Sequence, residues 1–320
     1  MPDTPTTQLV RVARRVAEAD GVVSLDLVAA DTRRLAPFTA GAHVDVTLPG
    51  GITRQYSLCN DPAERDRYRL GVLLSKESRG GSLGIHELTE GDVVTVSVPR
   101  DNFPLDETAA HSLLVAGGIG ITPMMSMAHR LAALGGSFAL HYCARSYRRA
   151  AFVQELCQEG FGHRVWTHFD DDRADLRFLP DRYLAEPGPD THLYVCGPTG
   201  FMDFVLAAAR ERGWREDRVH REYFTAEVDT GGSSFTVRTR RSGLTLTVPE
   251  DRSIADVLAD HGVTVPLSCE QGVCGTCLTP VLEGEPDHRD LYLSDAEKQT
   301  NKEMTVCCSR SHSPELLLDI

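Results

Sequence analysis

Hydrophobic and polar residues alternate in short runs over the first third of the chain. Between Leu9 and about Pro104 these runs are LVRVARRV, GVVSLDLVA, HVDVTLPG, YRLGVLL and DVVTVSVP, and Gly, Pro and Asp residues separate them. Alternation with a period of two is typical of strands that bury one face. Short strands at this spacing predict an antiparallel barrel or sandwich.

From His111 to about Ala226 the pattern changes to strands followed by helices. Apolar strand-like runs precede helical ones: SLLVAGG before PMMSMAHRLAAL, SFALHYCAR before AFVQELCQEG, and HLYVCG before FMDFVLAAARERG. Strands that alternate with helices predict a parallel sheet with right-handed crossovers. This region is therefore expected to form a separate α/β domain.

The last third of the chain follows a small, polar segment at residues 227–234, EVDTGGSS, which is typical of a linker. The run FTVRTRRSGLTLTVP then indicates a β-hairpin. Ser253 with Asp256, and Ser294 with Glu297, have the spacing of helix capping boxes. We expect a small sheet crossed by a helix, with a cysteine-bearing loop after it.

Length and charge narrow the possible functions. The chain has 320 residues, enough for the three domains predicted at residues 1–105, 106–228 and 229–320. Its formal net charge of −13 disfavours binding to nucleic acid or to an anionic membrane. The sequence suggests neither a signal peptide nor a transmembrane segment, so we expect a cytoplasmic protein with no membrane partner.

The spacing of the cysteines is the most specific signal. Cys269, Cys274 and Cys277 have the spacing C-x4-C-x2-C, and Cys307 follows after a further 29 residues. This is the plant-type 2Fe-2S pattern, in which four thiolates converge. The alternatives are uncoordinated thiols or a structural zinc site, but zinc usually draws on two short Cys-x-x-Cys-like elements and only one is present. We predict an iron–sulfur cluster.

The proposed fourth iron ligand, Cys307, is followed directly by a second cysteine, Cys308. If the chain is extended at Cys307 and Cys308, only one of the two side chains can face the iron, because neighbouring side chains alternate sides. We choose Cys307 from its spacing. Buried packing is the expectation for the remaining thiols outside the nucleotide site, Cys59, Cys143, Cys157 and Cys308.

Two turns at strand ends predict a dinucleotide crevice. In LLVAGGIGITPM, Gly118 and Gly120 precede a helix for which Thr122 is the expected N-cap and Pro123 the first helical residue. Such a turn lets a phosphate approach the backbone and the helix N-terminus. A second strand ends in the Cys-Gly-Pro turn of YVCGPTGFM, and open α/β sheets bind ligands at the carboxyl ends of their strands.

The sequence near these turns leaves NAD and NADP both open. An acidic residue about 20 positions after the glycines normally binds the ribose hydroxyl of NAD. Here the next predicted strand ends in Arg145, Arg148 and Arg149 instead.

Two motifs of the first region suit a flavin phosphate. Arg54, Tyr56 and Ser57 in RQYSL combine a guanidinium, a flat ring and a hydroxyl. The turn SRGGS supplies a second anion-binding set, Arg79, Gly80, Gly81 and Ser82. Each motif alone is more often ordinary surface chemistry, but together, upstream of a nucleotide domain and an iron–sulfur loop, they predict a flavin site.

The motifs RQYSL, SRGGS, LLVAGGIGITPM, YVCGPTGFM, HREYF and CEQGVCGTC, followed by EGEPDHRD and CCSR, occur in this order over nearly the whole chain. In this ordered set the chain resembles the phthalate dioxygenase reductase family, which includes vanillate demethylase reductase subunits. The resemblance implies three domains: an antiparallel flavin-binding β-barrel of the ferredoxin-reductase type, a parallel-sheet α/β domain that binds NAD, and a C-terminal plant-type ferredoxin domain with the α+β β-grasp fold.

The resemblance also implies roles for individual residues. Arg54 would pair with the flavin phosphate, Tyr56 would pack against the flavin and Ser57 would lie near its reactive nitrogen. Phe224 in HREYF would either cover the flavin ring or pack between domains. The phosphate site would be completed by Arg79, Gly80, Gly81 and Ser82. The pyridine nucleotide would be bound at its pyrophosphate by Gly118, Gly120, Thr122 and Pro123, and at its nicotinamide by Cys196 and Gly197.

A flavin is needed between NADH, which gives up two electrons together, and a 2Fe-2S cluster, which accepts one at a time. The resemblance implies FMN rather than FAD, because members of the family with this domain order typically hold FMN. We expect an NADH-dependent relay in which no side chain acts as general acid or base. The acceptor would be a terminal oxygenase, either a Rieske-type aromatic dioxygenase or O-demethylase or, as the alternative, a cytochrome P450. A non-catalytic iron–sulfur electron carrier is the competing class.

Overall fold

Residues 6–76, 78, 80–184, 186–225, 229 and 231–320 are described by the computed structural model. The chain divides into two units, Met1–Phe224 and Thr225–Ile320. Arg79 of the expected phosphate site and part of the expected linker lie outside the described residues.

The first part of the first unit is an antiparallel barrel with one short helix. Its elements are β1 (Thr7–Ala19), β2 (Val22–Ala29), β3 (His43–Thr47), β4 (Thr53–Ser57), β5 (Arg67–Leu73), α1 (Gly81–Glu87) and β6 (Val93–Ser97). The strands have the order β4-β3-β6-β1-β2-β5, and a bridge between Leu58 and Leu70 joins the two edges. Alternate residues such as Val10, Val12 and Leu25 are fully buried, as the period of two requires.

The second part of this unit is a parallel sheet with helices. Its elements are β7 (His111–Gly117), α2 (Ile121–Ala133), β8 (Phe138–Ala144), α3 (Val153–Gln158), β9 (Val165–Phe169), α4 (Pro180–Tyr183), β10 (Thr191–Cys196), α5 (Thr199–Glu211) and β11 (Val219–Glu222). The order is β11-β10-β7-β8-β9, with every pair parallel. The direction of strand addition reverses between β7 and β10, so a crevice opens at their carboxyl ends.

The second unit is a small mixed sheet crossed by a helix. Its elements are β12 (Phe235–Thr239), β13 (Thr245–Val248), α6 (Ile254–Asp260), β14 (Leu278–Glu283), β15 (Pro286–Asp287), α7 (Asp295–Thr300), β16 (Glu303–Thr305), β17 (Arg310–Ser311) and β18 (Glu315–Leu318). The main sheet has the order β13-β12-β18-β14-β16. Both expected capping boxes are present, Ser253 with Asp256 at α6 and Ser294 with Glu297 at α7. Leu258 of α6 is fully buried in the core of this unit.

The predicted fold class is confirmed, with a barrel, a parallel α/β sheet and a small α+β unit following one another along the chain. The expected domain boundary after residue 105 falls in the connection between β6 and β7. Within the described ranges, no helix has the length and apolar character needed to cross a membrane.

Candidate functional site

The carboxyl ends of β7 and β10 approach each other through glycines. A Cβ on Gly197 would lie 3.0 Å from the Cα of Gly117, and a Cβ on Gly120 would lie 2.2 Å from the carbonyl oxygen of Cys196. Between them Gly118 has a φ of +55°, which a residue with a side chain rarely adopts. The two turns expected to bind a nucleotide are therefore in backbone contact at the reversal point of the sheet.

The expected cap of α2 is wrong. The helix begins at Ile121 with Gly120 as its N-cap, and no side chain caps it. A tight turn runs directly into the helix, so Gly120 is already helical (φ −61°, ψ −3°) and no extended residue is left for a hydroxyl cap. Thr122 and Pro123 lie in the first turn and are buried, and the Thr122 hydroxyl donates to the carbonyl oxygen of Ile119 at 3.0 Å.

Three polar side chains meet beside these turns. Ser57, at the end of β4, donates from Oγ to Oε2 of Glu222 at 3.4 Å. Glu222 ends β11, where it is paired with Cys196 of β10. Burial raises the pKa of Glu222 to about 8 and raises the pKa of Cys196 well above its usual value. At neutral pH this group of three side chains is uncharged.

Ser57 and Cys196 were expected here from the sequence, whereas Glu222 was missed. Within HREYF, Glu222 follows His220 and Arg221, so by composition it resembles a surface residue. Glu222 could have been found only from its position at the end of β11. That position is informative only once β11 is known to lie beside β10.

Two aromatic side chains lie near the same region. Tyr56 on β4 is half-buried against the barrel core, and burial raises its pKa to about 12. Phe224 is half-buried against the core of the α/β part. Both rings keep some surface accessible, which a bound ring system could cover.

The two expected phosphate-binding motifs of the barrel are in contact. A Cβ on Gly81 would lie 2.5 Å from Cγ of Arg54, so only glycine lets α1 begin against the arginine side chain. Gly80 precedes the helix with a φ of +89°. The Oγ of Ser82 accepts a hydrogen bond from the main-chain N–H of Ser75 at 3.1 Å. The described residues of both motifs therefore form one continuous surface.

In the second unit the four expected iron ligands are buried and form two pairs. The thiol of Cys269 lies beside that of Cys274, and the thiol of Cys307 lies beside those of Cys277 and Cys308. Main-chain N–H groups two residues further on donate to the sulfurs of Cys269 (3.3 Å) and Cys274 (3.4 Å). Hydrogen bonding, chiefly from Cys269, lowers the pKa of Cys274 below its usual value. Such donors favour the thiolate that metals bind.

The loop that holds the first three cysteines depends on two glycines. Gly272 and Gly275 have φ values of +69° and +70°. A Cβ on Gly272 would lie 2.5 Å from Sγ of Cys308, and a Cβ on Gly275 would lie 2.3 Å from the ring of Tyr292. Both the turn and the contact therefore require glycine.

This donor set fits a two-iron cluster. Among the described residues, no three His, Cys, Asp or Glu side chains are grouped around a single metal position. Two pairs of thiols suit a cluster in which four cysteine sulfurs serve two irons. The chain at Cys307 and Cys308 is a turn rather than the extended segment considered above, but Cys307 is the one that contacts Cys277.

The expectation that the remaining cysteines are buried holds only in part. Cys59 and Cys308 are buried, Cys143 is half-buried and Cys157 is exposed. Because α3 buries Val153 and Leu156, Cys157 turns toward solvent, and its expected burial is wrong.

Comparison with known proteins places this chain among oxygenase reductases. The 2Fe-2S iron-sulfur cluster binding domain matches residues 237–312, and the oxidoreductase NAD-binding domain matches residues 114–207. The vanillate O-demethylase oxidoreductase of Pseudomonas sp. (strain HR199 / DSM 7063) is 51% identical over 305 residues, which are 94% of this chain and 96% of that protein.

Two solved structures extend the comparison to the fold. Phthalate dioxygenase reductase, described as a modular structure for electron transfer from pyridine nucleotides to [2Fe-2S], is 41% identical with a TM-score of 0.75 and covers 98% of each chain. An intact type IV self-sufficient cytochrome P450 monooxygenase is 34% identical with a TM-score of 0.86, over 100% of this chain and 43% of that one. With these similarities over its full length, the chain belongs to the phthalate dioxygenase reductase family, NADH-dependent oxidoreductases that transfer electrons through a flavin and a 2Fe-2S cluster to an oxygenase.

Proposed function

We propose that this chain takes electrons from NADH at an FMN bound by its first unit and delivers them, through the cluster of its second unit, to a Rieske-type aromatic dioxygenase or O-demethylase. The meeting of Ser57, Cys196 and Glu222 at the crevice carries the first half of this proposal, because it joins the barrel to the nucleotide-binding edge of the sheet. The 51% identity to a vanillate O-demethylase oxidoreductase supports the choice of acceptor.

The barrel residues hold the flavin in this proposal. Arg54 pairs with its phosphate, since the guanidinium lies against the start of α1. Ser57 would lie near its reactive nitrogen, and the rings of Tyr56 and Phe224 would pack against it. The rest of the phosphate site is formed by Arg79, Gly80, Gly81 and Ser82.

The α/β part holds NADH. Gly118 and Gly120 let the pyrophosphate approach the main chain at the start of α2, which carries the positive end of the helix dipole. Thr122 and Pro123 are buried, so they shape this turn through packing and the main chain. Cys196 and Gly197 lie beside the nicotinamide, where the thiol is neutral.

In the second unit Cys269, Cys274, Cys277 and Cys307 bind the cluster. When these groups are bound, the flavin accepts two electrons from NADH together and the cluster passes them on singly. The chain's own contribution is to hold the donors in place and to keep the site near Ser57 uncharged. None of its nine cysteines, all of which lie within the described residues, is in a disulfide, which suits the reducing cytoplasm in which we place the protein.

Anaerobic titration with NADH tests this function. The purified protein should contain FMN, iron and acid-labile sulfide, and NADH should bleach its flavin absorbance before its iron–sulfur absorbance is lost. A protein with iron and sulfide but no flavin, or one that NADH does not bleach, would be a passive carrier and would contradict the proposal. Comparison of kcat/KM for NADH and NADPH measures the nucleotide preference in the same preparation.

A cytochrome P450 is a second candidate for the acceptor. The self-sufficient P450 monooxygenase contains a region that matches the whole of this chain with a TM-score of 0.86. The two acceptors are distinguished by reducing a purified Rieske oxygenase and a purified P450 with the same reductase and comparing kcat/KM. A faster P450 reaction would favour this second candidate.

A further inference from the structure

The motif EGEPDHRD ends in a buried carboxylate that shapes the chain next to the cluster loop. The side chain of Asp290 is completely buried. Its Oδ2 accepts hydrogen bonds from the main-chain N–H groups of Tyr292 at 3.2 Å and Leu293 at 2.7 Å. The carbonyl oxygen of Asp290 accepts a hydrogen bond from Nζ of Lys298 on α7. These bonds fix a tight turn at residues 290–293.

This turn lies directly on the loop that holds three of the cysteines. The main-chain N–H of Leu291 donates to the carbonyl oxygen of Gly272 at 3.0 Å. The ring of Tyr292 lies so close to Gly275 that a Cβ there would come within 2.3 Å of it. Leu291 is thus hydrogen-bonded to Gly272, and Tyr292 packs against Gly275. Both glycines lie between cluster cysteines in the sequence.

The same two side chains are large and apolar, yet both are exposed to solvent. Leu291 is 40% exposed and Tyr292 is 37% exposed, and Leu267, two residues before Cys269, is also 37% exposed. Large apolar side chains that are held outward by a rigid turn are common where proteins bind each other. We call Leu291 and Tyr292 together the Leu291–Tyr292 surface.

Charge near this surface indicates the kind of partner. Asp295, three residues after Tyr292 and the first residue of α7, is exposed. Residues 231–320 contain 14 acidic and 8 basic residues, a net formal charge of −6. An apolar centre with an acidic surround is complementary to an apolar patch with a basic surround.

We propose that the Leu291–Tyr292 surface is where a basic redox protein docks to receive electrons from this unit. This proposal rests on the proposed function, and it names the side chains that contact the electron acceptor. Aromatic side chains at the centre of an interface contribute most of its binding free energy, so Tyr292 should contribute more than Leu291.

The test compares two electron acceptors for the flavin- and cluster-loaded protein with NADH. Cytochrome c is a basic protein that must dock, whereas ferricyanide is a small anion that needs no such surface. In the variant Leu291→Ser/Tyr292→Ser, we expect kcat/KM for cytochrome c to fall about tenfold through a raised KM, with ferricyanide reduction unchanged. Tyr292→Phe, which keeps the ring, should retain the wild-type rate with cytochrome c.

Leu282→Ser is the matched control, since Leu282 is a leucine of the same unit with the same 40% exposure, on β14. It should leave both rates unchanged. A loss of iron–sulfur absorbance in Leu291→Ser/Tyr292→Ser, or an equal fall in both rates, would place the defect inside the protein and overturn the proposal. So would unchanged cytochrome c kinetics in that variant. If the wild-type protein reduces neither acceptor with NADH, the proposed function itself fails, a result distinct from the other two.

Discussion

Glu222 is the last residue of β11, and its buried position there lets it retain its proton at neutral pH. The raised pKa of about 8 comes first from burial, and the hydrogen bond from Ser57 opposes only part of that effect. A neutral carboxyl group beside a neutral Cys196 adds no negative charge to the crevice where the nicotinamide is proposed to bind. The sequence-based expectation assigned no proton-holding side chain to this site, and Glu222 is the one that the structure supplies.

The pH dependence of stability should reveal this proton. In the folded protein Glu222 ionises near pH 8, whereas its usual pKa is 4.5. Between these values the unfolded chain has lost the proton and the folded chain has kept it, so stability from this group is present below pH 4.5 and is lost as pH rises to about 8. In that window the free energy of unfolding of the wild type should fall by at most about 1.4 kcal/mol per pH unit because of Glu222. In Glu222→Gln this contribution should be absent, and urea unfolding at several pH values measures the difference.

The control for this measurement is Glu211→Gln on α5, because the side chain of Glu211 is 78% exposed. Its stability difference from the wild type should stay the same across the pH range. A Glu222→Gln difference that is equally constant would show that Glu222 ionises normally.

Gly120 shows how closely the two turns of the crevice approach. We expect Gly120→Ala to destabilise the protein by about 1–3 kcal/mol, because its methyl group would overlap the carbonyl group of Cys196 and force the backbone to shift. The lowered Tm should be accompanied by weaker NADH binding. Gly200→Ala is the matched control: no atom lies within 4 Å of a Cβ at Gly200 on α5, so helix propensity should make it neutral or slightly stabilising. Equal Tm values for the two variants would contradict the close approach.

Among the elements, those with a strong local signal were predicted from the sequence. The β12–β13 hairpin follows from alternation on both sides of a Gly-containing turn, and α6 follows from Ser253, Asp256 and an apolar period. β9, β11 and α4 were not assigned. They are four to five residues long, and two of them, β9 and β11, are edge strands, so they are stabilised by the neighbouring strand rather than by their own pattern.

The residues of the candidate site also differ in whether a local sequence signal predicts them. Cysteine spacing is local chemistry, so it pointed directly to the four thiols that the structure brings together as two pairs. The Ser57–Glu222 contact joins residues 165 positions apart, and strand order has to be known before it can be inferred. The N-cap at Thr122 failed because a short turn before α2 moved the helix start by two residues, a shift that sequence patterns do not resolve.

The turn after β16 contains two adjacent cysteines, and we expect only one of them to be a cluster ligand. Cys307 lies beside Cys277, whereas Cys308 lies beside Cys307 and is packed against Gly272 and Thr305, with its Sγ 3.2 Å from the Thr305 hydroxyl. We expect Cys307→Ser to abolish or strongly reduce the visible iron–sulfur absorbance and Cys308→Ser to retain it. Iron content and circular dichroism in the visible range measure this directly. Loss of the cluster in Cys308→Ser but not in Cys307→Ser would reverse the ligand assignment.

For the whole molecule, the net charge disfavours nucleic acid as a partner and favours a basic protein as the electron acceptor. With −13 overall and −6 on residues 231–320, long-range attraction should accelerate encounter with a basic protein. We therefore expect kcat/KM for the oxygenase to fall by about tenfold or more between low and high ionic strength, mainly through slower association. NADH-dependent ferricyanide reduction, measured at the same salt concentrations, corrects for effects on the flavin. An oxygenase reaction that is independent of salt would show that charge does not guide docking.

The strand order of the second unit also determines when its cluster can be assembled. β12, the first strand of the unit, pairs in parallel with β18, the last, and β14 pairs with β18 on its other side. During synthesis, all the cluster cysteines leave the ribosome before the central strand that completes their sheet. Closing such a long loop is slow, because its entropic cost precedes the contacts that it gains. Iron and sulfide that are inserted before this sheet closes would protect cysteines that are still accessible at that stage.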